Sequence, residues 1–202
     1  MEMQRISLGP DERRSLKVEA VGGRVYADRV STSLAILLVA LREGRGDYFP
    51  VLDEMDFLEG IGKSSMTKEP KPFRHPLLQR FWHKHYSSAR HIPRNICLRW
   101  GLNRGGNQAL DQALAAIAKE HGEDPVMWTR VLAHRLTVGG YEDRAWRRRL
   151  TGEWILYAVH KERNHYLTLG THEEGRDPEA LLARLRQQCA AEWPFLFEEC
   201  AG

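Results

Sequence analysis

Between Asn107 and His172 the apolar residues of this chain change period once, and that change decides its fold class. From Asn107 to Leu136 they recur at spacings of three and four; from Glu153 to His172 they recur at two. Leu110, Ala113, Leu114 and Ile117 define one helical face, and Trp128, Val131, Leu132 and Leu136 define a second. The second helix opens on Asp124-Pro125, a capping side chain followed by proline at the first helical position. Glu153–His160 and His165–His172 alternate instead, and predict antiparallel strands around Lys161–Asn164. Asp177-Pro178 repeats the cap, with Leu181, Leu182, Leu185 and Cys189 as the stripe of a last helix. Trp193–Phe197 is expected to fold back as an apolar clasp. The fold class is α+β, mostly helical, with a β-hairpin in the C-terminal half.

The N-terminal half carries weaker signals. Leu16–Ala20 and Arg24–Ala27 flank Gly22-Gly23 and predict a small hairpin. Ser31-Thr32-Ser33 supplies a cap for an apolar helix through Leu41, which Gly44 and Gly46 end. A short helix is expected over Val51–Leu58, and a proline-rich loop over Lys63–Pro76. Leu77–Tyr86 is expected to be helical. Gly139-Gly140 is expected to end the second amphipathic helix, before a charged one from Tyr141 to Arg149. This divides the chain into an element over residues 1–46 and a main domain over residues 47–202.

Charge is distributed unevenly. The chain carries 30 Lys+Arg against 27 Asp+Glu, yet Lys71–Leu110 contains no acid at all. That block holds Lys71, Arg74, Arg80, Lys84, Arg90, Arg94, Arg99 and Arg104, interleaved with Phe73, Phe81, Trp82, Tyr86 and Trp100 and with His75, His83, His85 and His91. Cations neutralise phosphates and aromatic faces stack on bases, so the pattern points to RNA or another single strand. An acidic protein partner would be served by the same charge. Pairing to Asp53, Glu54, Asp56 and Glu59 would instead consume it internally.

The hairpin is the candidate reaction centre. With a four-residue loop, His160 would face His165, and Tyr157 would face Thr168. Glu153 would then face His172 on the same side, beside Arg147, Arg148 and Arg149. A carboxylate and an imidazole near a guanidinium could run acid–base cleavage of RNA without a metal. The same cross-strand pairs would also stabilise any half-exposed sheet. Trp154-Ile155-Leu156-Tyr157 and Leu167-Thr168-Leu169-Gly170, followed by a helix, resemble the RelE/ParE toxin fold over roughly a quarter of the chain. That resemblance implies a ribonuclease, although the small toxins lack a long N-terminal half.

Other patterns exclude more than they suggest. Gly60-Ile61-Gly62-Lys63-Ser64 ends like a phosphate-binding loop, but Phe57 stands where its first glycine belongs. His83 and His85 would diverge on a helix and share a face only in a strand. Asp53 and Asp56 would share a helical face, as magnesium-binding acids do, on an otherwise ordinary amphipathic turn. No metal or cofactor is expected. Cys97, Cys189 and Cys200 are odd in number and unpaired in spacing, which suits a reducing cytoplasm. Cys97 lies among arginines yet between Ile96 and Leu98, as an inert buried thiol would. The longest apolar run, Leu34–Leu41, is far too short to span a membrane.

Overall fold

A computed structural model describes residues 8–44, 47–62, 64–87, 92–101, 108–121, 125–150 and 152–198. The architecture is α+β and mostly helical, as expected. The chain divides into two compact units. One comprises residues 1–63, 70–86 and 153–202; the other comprises residues 64–69 and 87–152. None of the described helices is long and apolar enough to cross a membrane.

The first unit, the sheet unit, is built on four antiparallel strands in the order β1 (Lys71–Pro72), β2 (Phe81–Tyr86), β3 (Glu153–His160) and β4 (Arg163–Gly170). The helices α1 (Pro10–Ala20), α2 (Thr32–Glu43) and α3 (Tyr48–Leu58) cover one face. There Leu34, Leu38, Leu52 and Met55 pack against Ile155, Tyr157 and Tyr166. All four are essentially out of water, and each such side chain is worth roughly 1.5–3 kcal/mol. Helix α8 (Pro178–Cys189) covers the other face, setting Leu181, Leu185 and Cys189 against Phe81, Leu156 and Leu167. The expected clasp is present, with Trp193 and Leu196 buried in this second core.

Ser31 caps α2 as expected, its hydroxyl accepting from the Leu34 amide at 2.9 Å. The same hydroxyl donates to the Leu167 carbonyl at 2.5 Å, tying the helix start to β4. The expected N-terminal hairpin is absent. Leu16 and Ala20 instead lie on the inner stripe of α1, with Val21 buried just after its end; Pro10 and the Glu12 carboxylate on the Gly9 amide cap its start. Gly22 and Gly23 adopt φ of 59° and 74° and stop a helix rather than turn a hairpin.

Two further expectations are corrected. Leu77–Tyr86 is not helical; a short 3₁₀ turn at Pro76–Leu78 leads into β2, which pairs with β3 along its whole length. In the C-terminal hairpin the loop is two residues, not four. Lys161 and Glu162 both sit at positive φ, 48° and 62°, the conformation that matches strand twist in a tight turn. His160 therefore faces Arg163, and Ala158 faces His165. A bulge at Leu156/Tyr157 then sets Thr168 opposite Leu156.

The second unit, the helix unit, contains α4 (Ile92–Trp100), α5 (Gln108–His121), α6 (Pro125–His134) and α7 (Gly140–Trp146). Gly139-Gly140 does not end α6; a π-helical turn at Arg135–Gly139 carries the chain directly into α7. Gly140 is required there by contact, since a Cβ would lie 2.5 Å from the Trp100 indole nitrogen. That nitrogen donates to the Leu136 carbonyl at 2.9 Å.

Candidate functional site

Strand alternation disperses the basic and aromatic residues of β2. Trp82, Lys84 and Tyr86 point toward α3, while Phe81, His83 and His85 point toward the opposite face. Lys84 is wholly buried, its ammonium 3.0 Å from the Glu54 carboxylate and 5.1 Å from the centre of the Phe57 ring. Tyr86 lies in the core, and Trp82 packs half-buried against Tyr157 at 6.3 Å. Arg80 donates to the Leu196 and Glu198 carbonyls at 3.1 and 2.6 Å, pinning the C-terminal segment. Arg74 remains exposed. The strand therefore presents no continuous basic face, because residues that a helix would gather on one side are divided between two cores.

The acids of α3 are likewise committed. Asp56 accepts from Arg24 Nε and from the Tyr26 hydroxyl, the latter at 2.6 Å. Glu59 accepts from Arg29 at 2.9 and 2.5 Å, from Tyr166 at 2.7 Å and from Asn164 at 3.2 Å. Burial works against ionisation of Glu59, but those donors outweigh it and hold its carboxyl below the usual value of 4.5. Burial, reinforced by the neighbouring carboxylates, pushes the Tyr26 and Tyr166 phenols well up. Only Asp53 of this acidic set is exposed. Among the described residues no group of three His, Cys, Asp or Glu is placed to hold a metal ion.

The observed register also separates the hairpin residues. Tyr157 is buried against Trp82 and Tyr166, and burial raises its phenol pKa well above the ordinary range. Thr168 is fully buried. Glu153 pairs with Tyr86, whereas His172 packs edge-on against Trp154 and tilted against His85, at 4.6 and 5.1 Å, on the other face. Arg148 belongs to the helix unit. Glu153, Tyr157, Thr168 and His172 thus share no exposed face. His83 and His85, in contrast, do share a face of the sheet, though a covered one, around Trp154.

In the helix unit the cations are in surplus, with 12 Lys+Arg against 7 Asp+Glu, while the sheet unit has 18 against 20. Arg99 and Arg147 share the single carboxylate of Asp143. Arg144, held by Asn95 and by the Arg149 carbonyl, has its pKa lowered by burial first and then by the positive charges of Arg149 and Arg99. Arg94 is exposed on α4; Arg90, His91 and Arg104 lie outside the described residues. In sequence, Arg144 and Arg147–Arg149 flank Trp146, the last residue of α7, which is 88% exposed. A large apolar side chain left in water forfeits roughly 1.5–3 kcal/mol that burial would return.

Beside Trp146 opens a cavity of about 450 Å³, lined by Ser65, Met66, Tyr141, Glu142, Trp146 and Arg148. A short strand-like segment supplies its first two residues, fixed by a Thr67–Leu150 bridge and by the Leu150 amide donating to the Met66 carbonyl at 3.4 Å. Arg148 takes φ 51°, which ends α7 and starts the run back toward Leu150. The Tyr141 hydroxyl is held 2.8 Å from Ser87 Oγ. Arg148 reaches Glu69 at 3.4 Å, a contact between two side chains each more than half exposed. The sequence signal for this site is Arg144-Ala145-Trp146-Arg147-Arg148-Arg149, a tryptophan embedded in arginines. Expectation assigned those arginines to the hairpin and passed over the tryptophan.

No family model, no curated protein and no solved structure matches this chain, so the resemblance to RelE/ParE toxins carries no argument further.

Proposed function

We propose that this is a nucleic-acid-binding protein that takes RNA or another single strand on the arginine-rich corner of its helix unit. The observation that carries the reading is the exposed indole of Trp146 between Arg144 and the Arg147–Arg149 run. The arginines supply phosphate neutralisation and counterion release; the indole supplies a face on which any base can stack. Arg94 and Arg99 on α4 extend the basic surface within the same unit. Cleavage is not part of this reading, because the hairpin residues do not converge. We place the protein in the cytoplasm, where Cys97 and Cys189 stay reduced and RNA is at hand; both are free thiols, and burial pushes Cys189 up to about 11.

The test is binding of a labelled single-stranded RNA across a salt series. Trp146→Ala should weaken binding about 10-fold or more, the loss of one stacked base. Arg147→Ala/Arg149→Ala should flatten the log–log salt slope by about 1.4, or roughly 0.7 for each phosphate contact. Absence of binding at low salt overturns the reading. Binding of an acidic polypeptide that depends on the arginines and ignores Trp146 would support a protein partner instead.

A further inference from the structure

We propose that the cavity beside Trp146 is a base-recognition subsite selective for guanine; this deepens, and rests on, the nucleic-acid reading above. At about 450 Å³ it falls within the lower range of small-ligand pockets and suits a nucleotide-sized occupant. Its walls are of the right chemistry. Trp146 and Tyr141 offer aromatic surface, and the Met66 side chain, 55% exposed, offers a polarizable thioether.

Selectivity comes from Glu142. Among the described residues it is the single acid lining the cavity, it is exposed, and it makes no ion pair. An ionised carboxylate has two acceptor oxygens and no donor, so it seeks two adjacent N–H groups. The pairing edge of guanine provides them in N1–H and the N2 amino group. Adenine and cytosine each set an amino donor beside a bare ring nitrogen, whose lone pair would face a carboxylate oxygen. Uracil sets one N–H between two carbonyls, which repel the carboxylate on both sides. Only guanine matches without an unpaired or repulsive contact.

Arg148 lines the same cavity, and Glu69 restrains it only through an exposed contact. It can follow the phosphate of the bound nucleotide or reach the guanine O6/N7 edge, which arginine recognises through two parallel hydrogen bonds. Ser65 is a positioning residue. Its hydroxyl accepts from the Thr67 amide at 3.1 Å and fixes the turn that presents Met66.

The test uses the full chain and four RNA heptamers: all-uridine, and the same strand with a central guanosine, adenosine or inosine. Inosine keeps N1–H and lacks the amino group. Guanosine should bind about 10-fold tighter than adenosine, with inosine between them. Glu142→Gln, an exposed and near-isosteric change, should keep binding to the all-uridine strand and lose the guanosine preference. Equal affinity for all four strands would overturn the guanine assignment while leaving the nucleic-acid reading intact. A guanosine preference that survives Glu142→Gln would remove this cavity as the reader. Failure to bind even the all-uridine strand would sink both.

Discussion

The two units treat the same residue type in opposite ways. In the sheet unit, four buried or half-buried cations meet a carboxylate: Lys84 with Glu54, Arg29 with Glu59, Arg24 with Asp56 and Lys17 with Glu192. In the helix unit, Arg99 and Arg147 divide one carboxylate, and Arg144 is pressed by two like charges. One unit spends its positive charge on holding itself together; the other carries more cations than acids. Net charge therefore says little until each cation is assigned an acid.

The largest test of this contrast is Lys84→Met. It strands the Glu54 carboxylate, whose side chain is 8% exposed, in the core and should cost about 3–5 kcal/mol. The double variant with Glu54→Leu should recover most of that loss, since an apolar pair carries no desolvation penalty. Urea midpoints of the two variants decide the matter. A single variant within about 0.5 kcal/mol of wild type would mean that the pair is no part of what holds the sheet unit together.

A smaller loss is expected from acid. Because the folded Glu59 carboxyl lies below its ordinary value, its stabilising share is complete above about pH 4.5 and disappears as pH falls through the folded value. Stability measured by urea should decline on acidification below that point, and Glu59→Gln should flatten the decline. Tyr26 and Tyr166 act with the opposite sign. Their raised values favour the neutral phenol, so their share is complete below the ordinary tyrosine value of 10 and is lost as pH rises beyond it. An acid limb unchanged in Glu59→Gln would assign the decline to other carboxylates.

These contrasts were only partly legible beforehand. Wherever one local rule operated the sequence sufficed: Ser31 as a cap, Asp177-Pro178 opening α8, and the alternation of Glu153–His160. Strand β2 was hidden because period two shows only when one face is polar. In Phe81-Trp82-His83-Lys84-His85-Tyr86 both faces carry aromatic and basic residues, and both are covered. The hairpin register was hidden because Lys161 and Glu162 adopt positive φ without the Asn-Gly or Asp-Gly signature of such turns. The cavity was hidden for another reason. Met66 and Tyr141 are far apart in sequence, and contacts such as the Thr67–Leu150 bridge, which draw their segments together, leave no local pattern.

The smallest predicted effect sharpens the comparison most. Arg147 pairs with Asp143 one helical turn away, and its side chain is 58% exposed. Water already solvates the Arg147 guanidinium, and Asp143, whose side chain is only 29% exposed, keeps Arg99 when Arg147 is removed. Arg147→Ala should therefore shift stability by no more than about 0.5 kcal/mol, against several for Lys84→Met, although each removes one cation from one carboxylate. If the two variants cost the same, the arginines of the helix unit are structural and the surplus is only apparent. If Arg147→Ala is silent in urea yet flattens the salt dependence of RNA binding, the charge is free in the sense that matters. It is held in place by the fold without being consumed by it.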